Sequence, residues 1–292
     1  METERPGGHE HLSVNLDAYA PAEMARRVEA GGVYKARLGA WETLALSVLA
    51  GSFIALGAQF YTVTVTQAGL GFGITRLIGG LAFSLGLILV VVAGAELFTG
   101  NNLIVMAWAS GRVTTAELLR NWTLVYLGNL AGSLATVGMM LLSGQWALGG
   151  AAVGAQAVQI ATAKVGLAFW PAFWRGVLCN ALVCLAVWLC FSARTVTDKV
   201  LAIVFPITAF VASGFEHSIA NMYFIPLGMA LRENPSVLAA ARLSAADVAG
   251  LELAGFLSNL VPVTLGNVVG GGVLVAAVYW SVYLWRNPGV TG

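Results

Sequence analysis

Two apolar stretches of this chain, 77–109 and 200–231, are each longer than one bilayer crossing requires, and each carries a polar block at its middle. The first block is Glu96-Leu97-Phe98-Thr99-Gly100-Asn101-Asn102; the second is Gly214-Phe215-Glu216-His217-Ser218-Ile219-Ala220-Asn221. A membrane span takes about 20 apolar residues, and hydrocarbon offers the backbone no hydrogen-bond partners, so only helices and closed barrels cross it. An apolar run of more than 30 residues with a polar, glycine-containing centre reads as a broken helix, two halves joined by irregular backbone. Such backbone is tolerated at membrane depth only where protein buries it or water lines it. A charge there costs about 2.5–3.5 kcal/mol on insertion scales, and residues of this kind mark transport or relay sites by default. The blander reading is a Glu-His pair clamping two helices together, which needs fewer polar residues than the second block contains.

Six runs are long enough to span: 39–63, 77–109, 118–142, 172–191, 200–231 and 253–285. With 58% hydrophobic and only 10% charged residues, against about 25% charged in soluble domains, the fold class is an all-α integral membrane protein. A net charge of +1 gives no reason to expect nucleic acid or a strongly charged partner. The first 38 residues are mostly polar, with no n-region followed by an apolar h-region, so a signal peptide is not expected in them. Within them Asp17–Leu38 has the mixture of an amphipathic helix at the inner surface, and residues 1–16 are expected to be disordered. Cys179, Cys184 and Cys190 share one apolar segment without a CxxC pair or a nearby His, so they read as packing residues, and neither metal nor cofactor is expected.

The two halves echo each other. Asn121, Leu127-Gly128-Asn129 and Gly132 recur at the same spacing as Asn259, Leu265-Gly266-Asn267 and Gly270, and the breaks in spans two and five correspond. Three spans per copy is odd, so the second copy inserts upside down, a 3+3 inverted repeat that places a binding site near the midplane at the repeat interface. The expected organisation is an N-terminal cytoplasmic segment (1–38), a first repeat (39–143), an outer connecting loop (144–170), a second repeat (171–286) and a cytoplasmic tail (287–292). Ten of the 15 basic residues fall on the side of the N-terminus, and Arg76, Lys164, Arg175, Arg232 and Arg242 on the other, which favours cytoplasmic termini.

Four motifs in order, Phe83-Ser84-Leu85-Gly86-Leu87, Ala95-Glu96-Leu97-Phe98-Thr99-Gly100-Asn101, Gly214 to Met222, and Asn259-Leu260-Val261-Pro262-Val263-Thr264-Leu265-Gly266-Asn267, resemble the signatures of the formate/nitrite transporter family. The similarity is nearest to its formate-channel branch and runs from about Gly32 to Arg286. It implies an aquaporin-like six-helix fold with helices two and five broken, a homopentamer in the lipid of the inner membrane with one pore per protomer, and passage of formate or a similar small anion. Nitrite and hydrosulfide remain alternatives within the family. By the same resemblance, Leu97, Phe98 and Thr99 form the loop that breaks helix two, Phe83, Leu87 and Phe210 are constriction residues, and His217 is the central histidine. Lys164 maps to a lysine of the outer vestibule, Asn267 to a helix-six asparagine close to it, and Glu216 and Asn221 to the histidine's flanks. Glu96 stands where some formate channels have Asp, and Gly100-Asn101-Asn102 looks more like other branches.

The residue chemistry agrees with this reading. An anion entering an apolar constriction faces a large desolvation cost and neutralises where it can. Phe83 and Leu87, at i and i+4, share one helix face and suit a greasy collar. His217 can donate a proton to a weak-acid anion, or donate a hydrogen bond and stay neutral; Thr99 can contact substrate or cap the following half-helix. Lys164 taken alone reads as a solvated loop lysine, and as an anion attractor once the resemblance is included. An intramembrane hydrolase is disfavoured by the lack of GxSxG around Ser213 or Ser218 and of HExxH. A neutral-solute channel shares the inverted-repeat logic and is told apart by transport assays.

Overall fold

In the computed structural model the described residues are 17–285. The expectations for residues 1–16 and for the 287–292 tail lie outside them. The chain forms α1 (Pro21–Arg37), α2 (Ala40–Val65), α3 (Phe72–Ala93), a 3-10 segment (Gly100–Ile104) running into α4 (Val105–Ala109), and α5 (Thr115–Leu142). There follow α6 (Leu148–Val165), α7 (Phe169–Cys190), α8 (Val196–Ser213), α9 (Ser218–Leu231), α10 (Pro235–Ala241) and α11 (Leu253–Val268). The last continues through a π-helical stretch (Val269–Ala277) into α12 (Val278–Tyr283).

Six helices among the described residues are long and apolar enough to cross a membrane. Both overlong runs are broken as expected. Helix α3 ends on Gly94 and α8 on Gly214, each in the left-handed region (φ 79° and 74°) that glycine adopts without steric cost. Within each half the first and third spans pack together, α2 on α5 and α7 on α11, and α3 meets α8 across the halves.

The repeat extends to individual backbone contacts. A Cβ on Gly132 would lie 1.9 Å from the Val48 carbonyl, and one on Gly270 2.1 Å from the Val177 carbonyl. Equivalent glycines therefore bring equivalent helices into backbone contact, as small residues do in membranes.

Two expectations need correcting. The 144–170 connection is mostly helical, because α6 spans 148–165, with Gly149, Gly150 and Ala151 near its start turning the chain in left-handed conformations. It packs on α9 and α10 and brings Lys164 inward. Helix α1 does have a buried stripe (Met24, Ala25, Val28, Gly32, Ala36), but that stripe packs against the 3-10 segment, α4 and α12. Its amphipathicity serves the bundle.

Candidate permeation pathway

Each break is held by an asparagine from the third span of its own half. The Asn129 side chain accepts from the Phe98 N–H (3.0 Å) and donates to the Glu96 and Ser47 carbonyls (2.9 and 2.8 Å). Asn267 repeats the pattern: it accepts from the Ser218 N–H (2.9 Å) and donates to the Glu216 and Gly176 carbonyls (3.0 and 2.8 Å). Both amides are fully buried. Irregular backbone at this depth has no water to fall back on, so these side chains supply partners the helix no longer provides.

The breaks also carry duplicated polar clusters. At one, Lys35 Nζ donates to Glu96 (2.5 Å), Asn101 Nδ2 to Glu96 and Asn121 (2.6 and 3.0 Å), and Asn121 Nδ2 to the Lys35 carbonyl (3.0 Å). At the other, Lys164 Nζ donates to both Glu216 oxygens (2.9 and 3.1 Å), Asn221 Nδ2 to Glu216 and Asn259 (2.7 Å each), and Asn259 Nδ2 to the Lys164 carbonyl (2.8 Å). The carboxylates are buried and paired, which satisfies the requirement for keeping a charge out of water.

Each cluster faces a cavity. The α6 cavity, ≈ 230 Å³, is lined by Arg76, Lys164 and Arg175 against the single carboxylate of Glu216, with Phe83, Phe210 and His217 at its floor. The α1 cavity, ≈ 470 Å³, is lined by Arg27, Lys35 and Lys199 against Glu96, with Leu87 and Leu97 among its apolar residues. A water molecule takes about 30 Å³ of liquid volume, so either cavity admits a hydrated ion of a few atoms. Three cations against one carboxylate make both basins electropositive.

Between the basins the two breaks touch. His217 Nε2 lies 3.0 Å from Thr99 Oγ1, and its Nδ1 accepts from the Ala220 N–H at 3.1 Å as the N-cap of α9. An Nδ1 that accepts has no proton in the neutral ring, so the network assigns the hydrogen to Nε2, which donates to Thr99. The ring also stacks on Phe210 (5.9 Å, 20°), while Phe210 meets Phe83 edge to face (5.6 Å, 82°). Thr99 is held from behind, its carbonyl accepting from Asn180 Nδ2 and Cys184 Sγ (3.3 Å each). Cys184 therefore bonds the break as well as packing.

The geometry corrects several sequence assignments. Phe83 and Leu87 share a helix face but serve different cavities, since one turn of α3 carries the chain from one basin to the other. Phe98 lines neither cavity; its ring packs on Trp122 and Tyr126 of α5 (6.0 and 4.9 Å), because successive residues of the non-helical segment point opposite ways and Leu97 takes the cavity side. Asn259 is the helix-six asparagine beside Lys164, whereas Asn267 stands behind the break. Asn221 likewise backs Glu216 without lining the cavity. Lys164 is mostly buried and paired, unlike a solvated loop lysine. Sequence reasoning missed Lys35, because it precedes Glu96 by 61 residues while Lys164 precedes Glu216 by 52. The matched Glu-to-Asn spacing of five at both breaks was the available signal for the duplicated cluster.

Two lysine-lined basins meet at one buried hydrogen bond between inverted breaks, on a fold shared with known proteins. The formate/nitrite transporter family profile covers residues 22–281. The chain belongs to that family. It is 45% identical over 276 residues to the formate channel FocA of Escherichia coli K12, covering 93% of this chain and 97% of that one. FocA of Haemophilus influenzae is 41% identical, with 91% and 95% covered. A solved pentameric formate channel with formate bound superposes with a TM-score of 0.79 at 47% identity, covering 84% of this chain and 98% of the other. An ion channel of the same family superposes at 0.76 and 29% identity, with 89% and 98% covered. The family thus accounts for nearly all of the described fold.

Proposed function

We propose that this family member passes formate across the inner membrane, as a homopentamer with a path through each protomer and both termini in the cytoplasm. The observation that carries the reading is the Thr99–His217 hydrogen bond, set between two cation-rich cavities and two apolar collars. Formate is drawn to a basin by its net positive charge. It cannot take that charge through Phe83 and Phe210 or through Leu87 and Leu97, where no ion finds a replacement for its water. A weak-acid anion escapes the penalty by taking a proton from the bathing water at the basin edge, crossing as the neutral acid and returning the proton to water on the far side.

His217 then acts as a hydrogen-bond donor. A neutral imidazole that surrendered its Nε2 proton would be left an imidazolate, and one that took a second proton at Nδ1 would lose the cap of α9. Either change is costly in a ring 3% exposed. The geometry favours a ring that stays neutral and trades its bond to Thr99 for one to the substrate in transit. The paired lysines attract without trapping, since each shares its charge with a carboxylate.

The test is uptake into proteoliposomes of formate, nitrite, ammonia and glycerol. Saturable formate uptake that rises as the pH falls from neutral to mildly acidic is expected, with glycerol excluded. Glycerol or ammonia passing as readily as formate, with no response to pH, would sink the proposal. Reporter fusions to both termini check their sidedness, and light scattering of the solubilised protein checks the pentamer.

A further inference from the structure

We propose that Arg76 is a positioning residue that sets the aperture of the Phe83–Phe210 collar, and so the size of anion the α6 cavity admits. The half-buried Arg76 side chain reaches from the second turn of α3 to the end of α8. There Nε donates to the Ala212 carbonyl and Nη2 to the Val211 carbonyl, both at 2.8 Å. These carbonyls belong to the last turn of α8, where helical partners run out, and a guanidinium also suits the negative end of the helix dipole. Gly214, which closes α8, sits directly below: a Cβ there would lie 3.0 Å from Arg76 Nη2.

The clamp lies on the stripe of α3 that builds the collar. Arg76, Gly80 and Phe83 are at i, i+4 and i+7, one helix face. Gly80 brings α3 into backbone contact with α8, since a Cβ there would stand 2.7 Å from the Thr208 carbonyl. Phe83 then meets Phe210 of α8 edge to face. Arg76 and Gly80 thus fix two successive turns of α3 on α8 immediately before the rings that narrow the path. The other break is built differently. Helix α3 ends on Gly94 in the same left-handed geometry, yet among the described residues no side chain donates to its closing carbonyls. The clamp is therefore specific to the α6 side, and it needs a fork: lysine carries the same charge but presents a point donor that does not span two carbonyls in fixed geometry.

The inference rests on formate crossing through this collar. The experiment compares uptake of formate, acetate and lactate into proteoliposomes for the wild type and for Arg76→Lys, Arg76→Gln and Arg175→Gln. Arg175 lines the same cavity and is the electrostatic reference. Both Arg76 variants are expected to lower the formate-to-acetate ratio by roughly tenfold, the low end of the range over which one methylene is discriminated in an apolar pocket. Arg175→Gln should weaken uptake of all three anions alike and leave the ratio unchanged. In a Phe210→Ala background, where the collar is already open, Arg76→Lys should produce no further fall. A wild-type ratio in Arg76→Lys would overturn the proposal and leave Arg76 as a vestibule charge only. So would an additive fall in the Phe210→Ala background. If Arg76→Gln does not assemble, Arg76→Lys and the Phe210→Ala pair decide the question. Absence of formate uptake in the wild type would instead remove the proposed function.

Discussion

His217 performs two jobs with its two ring nitrogens, and they can be separated. Nδ1 caps α9 and Nε2 reaches Thr99. Asn is a good N-cap but too short to reach Thr99, so His217→Asn should assemble with near wild-type thermal stability and lose most formate uptake. His217→Phe loses the cap as well and should cost about 1 kcal/mol more in stability, read as a lower melting temperature. Wild-type flux in the Asn variant would remove the ring from the mechanism. Glu216 gives a second test at this scale. Its carboxylate holds Lys164 at 2.9 Å, and Glu216→Gln leaves that ammonium uncompensated. The half-saturating formate concentration should fall, by roughly fivefold for one released charge in a partly wet site, and maximal flux should fall with it, because a site that binds tightly releases slowly. A rise in half-saturation would show that Glu216 serves entry in some other way.

The two helix breaks look alike as elements but differ in how freely their ends can respond. Gly94 and Gly214 both close a helix with positive φ, where an added Cβ costs about 1–2 kcal/mol. Around Gly94 a Cβ would meet nothing within 4 Å, whereas at Gly214 it would press on Arg76. Gly94→Ala should therefore lower stability slightly and spare selectivity, while Gly214→Ala should change formate selectivity as well. Equal selectivity in the two variants would contradict the asymmetry. Gly100 is a different case: it opens the 3-10 segment in ordinary helical backbone, and a Cβ there would make only a 3.7 Å contact with Val187. Of the two glycines that bracket Phe98 and Thr99, only Gly94 has a positive φ. At Gly100 an alanine should pass unnoticed in flux and in stability.

For the molecule as a whole, the decisive contact joins the halves. Thr99 and His217 are 118 residues apart in the chain, and opposite insertion brings the two breaks to one depth. Thr99→Val and His217→Asn should each reduce formate flux, and the double variant should be little worse than either alone, since residues sharing one hydrogen bond are not additive. Fully additive losses would mean that the two side chains act on separate steps.

The sequence alone determined the six crossings, the two breaks and the inverted repeat. Apolar run length is dictated by bilayer thickness, and a polar block in a helix too long for its membrane has few structural outcomes. Asn121 and Asn259, and Asn129 and Asn267, were visible as a repeat because each lies at a fixed spacing on one helix. The four motifs carried the family, and through it the expectations for His217, Lys164 and the collars. Only the tertiary structure decided which of these residues touch. Lys35 and Glu96 are brought together by the packing of α1 against the first break, which no spacing encodes. The inward turn of Leu97 and the outward turn of Phe98 depend on irregular backbone, which follows no period. Arg76 could be counted as a charge from the sequence. Its place on two carbonyls of α8 exists only once two distant helices lie side by side, because a clamp is a property of the pair.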